Sequence, residues 1–131
     1  MGDPETEVVL PRLKNDMVEL MASLFDESLK NIEIEIDART AATVMLVSGG
    51  YPEKYEKGKK MSGMESVQSS LVFHAGTKTA EGGIVTNGGR VMALTSFGES
   101  HKEAVGLSLL NATKIEFEGK YYRRDIGFEF N

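Results

Sequence analysis

The order of segments in this chain predicts an α+β domain, a mainly antiparallel sheet with flanking helices. Three observations lead there. Ile32-Glu33-Ile34-Glu35-Ile36-Asp37 alternates strictly between apolar and acidic residues. Ala42 to Val47 is continuously apolar or β-branched. Ser100 with Glu103 three residues later forms a capping box, which opens a helix running to about Ile115.

Taken in chain order, Asp3-Pro4 reads as a helix start, with Asp3 capping free amides and Pro4 preset for the first turn. Pro11 then shortens or kinks that helix. Asp16 and Glu19 cap a longer helix, whose Met17, Leu20, Met21, Leu24 and Leu29 recur at helical spacing and form the expected buried stripe. The 32–37 alternation fits a strand with one wet face, whereas Ala42 to Val47 fits a strand covered on both faces. Residues 53–65 are polar with glycine breaks and read as a surface loop. Val67 to Phe73 is the next strand. Ile84 to Thr86 and Arg90 to Phe97 flank Asn87-Gly88-Gly89, a hairpin signal. A last extended segment ends in Phe128-Glu129-Phe130. No internal repeat and no low-complexity linker interrupts the chain.

With 131 residues, the chain makes one domain with a core of its own. Its 40% hydrophobic and 27% charged content is that of an ordinary globular protein. A net charge of −5 argues against a nucleic-acid surface, which needs a basic face. The chain has no cysteine, which excludes disulfides and thiolate metal sites. No apolar run approaches the roughly 20 residues of a membrane span, and the acidic N-terminus is no signal peptide. The expectation is a soluble, acidic, cytoplasmic protein.

Candidate chemistry is sparse. Seven of the 14 glycines fall at Gly49-Gly50, Gly76, Gly82-Gly83 and Gly88-Gly89. Glycine serves tight turns and close approach of backbone to a ligand, and both readings stand at each loop. GxGxxG and GxxxxGK[ST] are absent, so the chain carries no phosphate cradle of its own. Asp3 and Glu5 could hold an ammonium group or a metal, or simply cap a helix. His74 ends a strand beside a glycine loop. It and His101 are the only histidines and lack partners at ligand spacing, so no metal site is expected. Tyr121-Tyr122-Arg123-Arg124-Asp125 could clamp a phosphate through its guanidinium groups, or pair them with carboxylates on an edge strand. There is no GxSxG, hence no serine nucleophile.

The runs GDPETEVVLPRL (2–13), SGGYPEKYEKG (48–58), VFHAGT (72–77), TNGGRVMALTSFG (86–98) and FEGKYYRRDIG (117–127) together resemble the C-terminal part of phosphoribosylamine–glycine ligases. They occur in that family's order and spacing across essentially the whole chain. The least matched stretches are Phe25 to Arg39 and Gly58 to Ser69. The resemblance implies an ATP-grasp enzyme of purine synthesis. It joins glycine to 5-phosphoribosylamine through an acyl phosphate and releases ADP and phosphate. ATP and magnesium are then cofactors of the full-length enzyme, with none expected on this fragment.

On the same resemblance, residues 1–13 close the ATP-grasp region and 14–131 form the C-terminal domain. The N-terminal and ATP-grasp domains are the expected partners, with glycine and 5-phosphoribosylamine as substrates. No catalytic residue and no metal ligand is expected in this fragment, which alone should neither hydrolyse ATP nor make glycinamide ribonucleotide. Asp3 and Glu5 match the loop bordering the substrate pocket. Ser48, Gly49, Gly50 and Tyr51 match a glycine loop facing the cleft, and His74, Ala75, Gly76 and Thr77 match its neighbour. Arg90, Arg123 and Arg124 are the expected anion partners, with Arg124–Asp125 as a competing structural pair. The two loops are expected side by side, opening with Asp3 and Glu5, and Gly50→Val is expected to harm activity more than stability. The competing reading, from another class, is a free-standing non-catalytic binding module on the same fold.

Overall fold

The computed structural model describes residues 2–130; Met1 and Asn131, which bound the two expected segments, lie outside it. Eight elements follow in order: α1 (Thr6–Val9), α2 (Met17–Ala22), β1 (Thr40–Val47), β2 (Ser70–His74), β3 (Thr77–Ala80), β4 (Gly83–Thr86), β5 (Arg90–Gly98) and α3 (His101–Lys114). Short 3-10 turns lie between them and at Phe128–Phe130. The architecture is α+β with antiparallel pairing throughout, as expected.

The main sheet has the order β1-β5-β2, and β5 runs antiparallel to both neighbours. Val44 pairs with Leu94 and Leu46 with Met92, so these residues share one face. That face packs with Ala112, Ile115 and Phe117 into the core. Helix α3 can approach closely because its buried positions, Ala104, Ser108, Asn111 and Ala112, are small or polar and fall on one stripe. Its polar groups are satisfied within that interface. The Ser108 hydroxyl lies 2.9 Å from the Ala42 carbonyl and 2.8 Å from Ser96 Oγ. Asn111 Nδ2 donates to the Gln68 carbonyl at 2.7 Å and to Ser70 Oγ at 2.6 Å. On the opposite face Thr43 meets Thr95 at 2.6 Å, and Thr95 donates to the Glu7 carbonyl at 2.7 Å, tying α1 to the sheet.

The strand covered on both faces is β5, where Val91 to Ser96 are all fully buried. Strand β1 instead alternates between buried and half-buried residues. An apolar run records burial but not which strand takes the centre. The expected hairpin around Asn87-Gly88-Gly89 does not form. Strand β4 pairs with β3 across a tight turn at Glu81-Gly82, and β5 is left to β1 and β2. The 32–37 segment is extended but pairs as a strand only at the Leu13–Ile36 bridge, with side-chain bonds from Asn15 beside it. Alternation fixes which side chains share a face, without supplying a neighbouring edge.

The largest departure concerns the Met17–Leu29 stripe. Asp16 does cap α2, accepting from the amides of Val18 and Glu19, but the helix has only six residues and none is buried. Met21 and Leu24 are more than half exposed. Asp3 caps nothing: α1 has Glu5 at its N-cap and no side-chain cap. At the other end Ser100 caps α3 as expected, accepting from the Glu103 amide. After α3 the chain returns to the sheet through paired bonds between Val47 and Tyr121, and Phe128–Phe130 forms a turn rather than a strand.

Candidate functional site

Because β5 is antiparallel to both β1 and β2, the C-terminal ends of those strands meet at the N-terminal end of β5. The loops leaving Val47 and His74 are therefore delivered to one end of the sheet. They are not immediate neighbours, since the entry to β5 lies between them and holds both. Ser48 donates through its amide to the Gly89 carbonyl at 2.8 Å and through its hydroxyl to the Gly88 carbonyl at 2.8 Å. From the other side the Gly76 amide donates to the Arg90 carbonyl at 2.8 Å, and the Asn87 amide donates to the Gly76 carbonyl at 2.7 Å. Asn87-Gly88-Gly89, read from sequence as a hairpin, is the clasp between the loops. The glycine pair directly ahead of Arg90 was the available signal.

Two glycines answer the choice between turn and close approach. Gly50 has φ of +92°, and a Cβ there would stand 2.2 Å from the Lys54 carbonyl oxygen. It is required by the turn itself, so Gly50→Val disrupts the backbone and cannot isolate activity from stability. Gly89 is a close approach: an added Cβ would lie 2.1 Å from the Tyr51 ring. The missing side chain lets Tyr51 lie against the start of β5.

Arg90 joins this end of the sheet to the N-terminal segment. Its Nη2 pairs with Asp3 Oδ2 at 3.0 Å, and its Nη1 donates to the Asp3 carbonyl at 2.6 Å. Glu5 makes no such link; its carboxylate folds back beside Gly2. His74 Nδ1 and Thr77 Oγ1 lie 2.9 Å apart across their loop. Arg123 forms a two-pronged pair with Asp125, at 2.9 Å from Nε to Oδ1 and 2.7 Å from Nη2 to Oδ2. Arg123 is therefore the structural partner of Asp125 that was expected of Arg124. The guanidinium of Arg123 holds the Asp125 carboxyl below its ordinary value.

A cavity of about 290 Å³ collects Pro4, Met45, Tyr51, Arg90, Tyr121 and Arg123 on its walls. Arg124 stands apart, 5.8 Å over the Tyr122 ring, and lines a separate cavity of about 700 Å³ with Lys120 and Asp125. The His74–Thr77 loop does not line the Tyr51–Arg90 cavity, although it is clipped to the same clasp. Two guanidinium groups, each already paired with a carboxylate, thus border a partly aromatic hollow. Such a wall offers donors to an anion.

A family model described as "Phosphoribosylglycinamide synthetase, C domain" matches residues 41–129. The chain belongs to that C-domain family. It is 44% identical to the phosphoribosylamine–glycine ligase of Caldanaerobacter subterraneus over 95% of its own length and 30% of that protein's. With the same ligase of Halalkalibacterium halodurans it shares 45% identity over 96% of this chain and 29% of the other. The crystal structure of the Thermotoga maritima ligase superposes with a TM-score of 0.73 at 37% identity, covering 95% of this chain and 31% of that one. The chain therefore spans about 30% of the length of the relatives it matches.

Among the described residues, no group of three or more His, Asp or Glu side chains comes together as a metal site. No described helix is long and apolar enough to cross a membrane.

Proposed function

We propose that this chain is the C-terminal domain of a cytoplasmic phosphoribosylamine–glycine ligase, the enzyme that makes glycinamide ribonucleotide, ADP and phosphate from ATP, glycine and 5-phosphoribosylamine in purine synthesis. One geometric observation carries the reading. Ser48–Tyr51, Arg90 and Asp3 converge at one end of the sheet, beside a hollow walled by Tyr51, Arg90 and Arg123. Similarity over nearly the whole chain to relatives bearing that name supports it over a free-standing module.

The residues present do not form a cradle for a magnesium nucleotide. No phosphate-binding glycine motif occurs, and among the described residues no carboxylate cluster stands ready for a hard cation. Nucleotide chemistry thus falls to the remainder of the enzyme. This domain's share is to wall the substrate side, with Arg90 at the start of β5, Tyr51 and Arg123 on the segments beside it, and Asp3 held in place by Arg90. The Gly49-Gly50 turn and the His74-Ala75-Gly76-Thr77 loop set that wall's shape. Glu5 borders it, and Arg124 serves an anion from the adjoining cavity.

The test joins this chain to the part of the Thermotoga maritima ligase that lies outside its match. Glycine-dependent ADP release and formation of glycinamide ribonucleotide are expected from the joined protein and not from the 131-residue chain alone. Ligation by the chain alone would overturn the division of labour. A folded joined protein without ligation would reject the reading.

A further inference from the structure

We infer that the exposed apolar face of α2 and the turn after it is the seam by which this domain docks onto the rest of its ligase; this rests on the proposed function above.

Of the six residues of α2, Met17, Val18, Leu20, Met21 and Ala22 are apolar and only Glu19 is charged, yet none is buried. A helix that is apolar nearly all round belongs inside a protein. Val18 and Met21 are 76% and 55% exposed on one helical face, and in the following turn Leu24 and Phe25 are 58% and 92% exposed. Val9, Ile34 and Ile36 add to the same segment. Seven of the thirteen exposed large apolar residues among the described ones thus fall between Val9 and Ile36. Apolar surface gathered in this way marks an interaction site rather than ordinary scatter.

The segment's backbone is nevertheless fixed. Lys14 donates to the Glu35 carbonyl at 2.9 Å, and Asp37 donates to the Arg12 carbonyl at 2.7 Å. The Asn15 side chain bonds both Glu33 and Glu35. Beside it lies an apolar groove of about 370 Å³, between Val9, Leu13, Met17 and Ile36. The face is held in shape and left uncovered.

The occupant follows from the comparisons. The relatives match this segment as well as the sheet, since they cover 95–97% of the chain, yet the C-domain family model begins only at residue 41. The larger part of those ligases lies outside the match. Those ligases therefore contain polypeptide enough outside the match to cover residues 2–40. Exposed Glu19, Asp26, Glu33 and Glu35, together with exposed Lys14 and Lys30, accompany the apolar residues, so the covering surface is apolar at its centre with a mixed polar rim.

Hydroxyl-radical footprinting reads the face directly, because methionine and phenylalanine side chains oxidise readily when exposed. In the joined protein with the Thermotoga maritima remainder, Met21 and Phe25 should be protected several-fold relative to the 131-residue chain. Protection without ligase activity would keep the seam and reject the functional reading. Ligase activity without protection would reject the seam and keep the function. Protection in the 131-residue chain that rises with its concentration would assign the face to a second copy and overturn the inference. As a check independent of the joined protein, Val18→Glu with Phe25→Glu should leave the melting temperature of the 131-residue chain unchanged. A clear fall would show that the face is already covered, and would overturn the inference too.

Discussion

Residues 2–40 and residues 41–127 obey different packing rules within one chain. In the first region only Ser23 is buried, and its helices are four and six residues long. In the second, a sheet and a 14-residue helix enclose a core in which Leu46, Met92, Leu94 and Ile115 are fully buried. Apolar content does not make this difference, since the first region is rich in Met, Leu, Val and Ile. What differs is whether the chain itself supplies an opposing surface. Strand β5 has α3 on one side and α1 on the other, whereas α2 presents its outer face to solvent. Apolar residues become a core only where something lies against them.

The strongest way to break that comparison is a matched pair of truncations. Leu46→Ala should cost about 2–5 kcal/mol, the range for a fully buried leucine whose cavity is only partly refilled. Phe25→Ala should change stability by no more than about 0.5 kcal/mol. Denaturant unfolding of both variants decides it, and similar losses would erase the distinction drawn here.

Gly50→Val should destabilise by at least about 1–3 kcal/mol, because a β-branched residue is forced to positive φ against the Lys54 carbonyl. A variant with native stability would mean that the turn rearranges freely and that the loop is less fixed than its bonds imply.

Asn111→Ala should cost about 1–3 kcal/mol, since it leaves the Gln68 amide and carbonyl without their side-chain partner. Hydrogen exchange should show the loss at Gln68 and along β2, and no change at residues 14–36. Equal loosening of both regions would join them into one cooperative unit.

The smallest effect is electrostatic. Asp125 and Asp37 have carboxyl groups held below their ordinary values by Arg123 and Arg39 respectively. A depressed folded-state value means that each pair stabilises the protein above the unfolded aspartate value of about 3.9, and that this is lost as pH falls through the folded value. Both pairs are solvent-screened, so the contribution is small. Melting curves of the parent and Asp125→Asn should differ slightly at about pH 6 and converge as pH falls through the folded value of Asp125. A gap that widens on acidification would reverse the sign.

How far the sequence could be read depended on the range of the interaction. Ser100 and Asp16 cap their helices as expected because a cap involves only three or four neighbouring residues. The strands at 40–47, 70–74, 83–86 and 90–98 were legible from composition and turn residues. The loops at Ser48 and His74 were legible through their likeness to a family. Their joining by Gly88 and Gly89 was not, because that depends on bonds across 40 residues of chain between Ser48 and Gly88. The Asp3–Arg90 pair spans 87 residues and was equally hidden. Even Arg123, rather than Arg124, taking Asp125 turned on local backbone direction that two adjacent arginines do not reveal.

The sequence by itself determined the α+β class, the caps at Asp16 and Ser100, most strand positions and the family. These rest on local backbone preferences and on motifs repeated in order, which need no knowledge of what lies opposite. Only the tertiary structure decided that β5 is the central strand, that β4 turns back onto β3, and that Arg90 anchors Asp3. It also decided that the Met17–Leu29 stripe has no cover within this chain. Each of those outcomes is a choice of partner, and a periodic pattern states that a face will be buried without naming the surface that buries it.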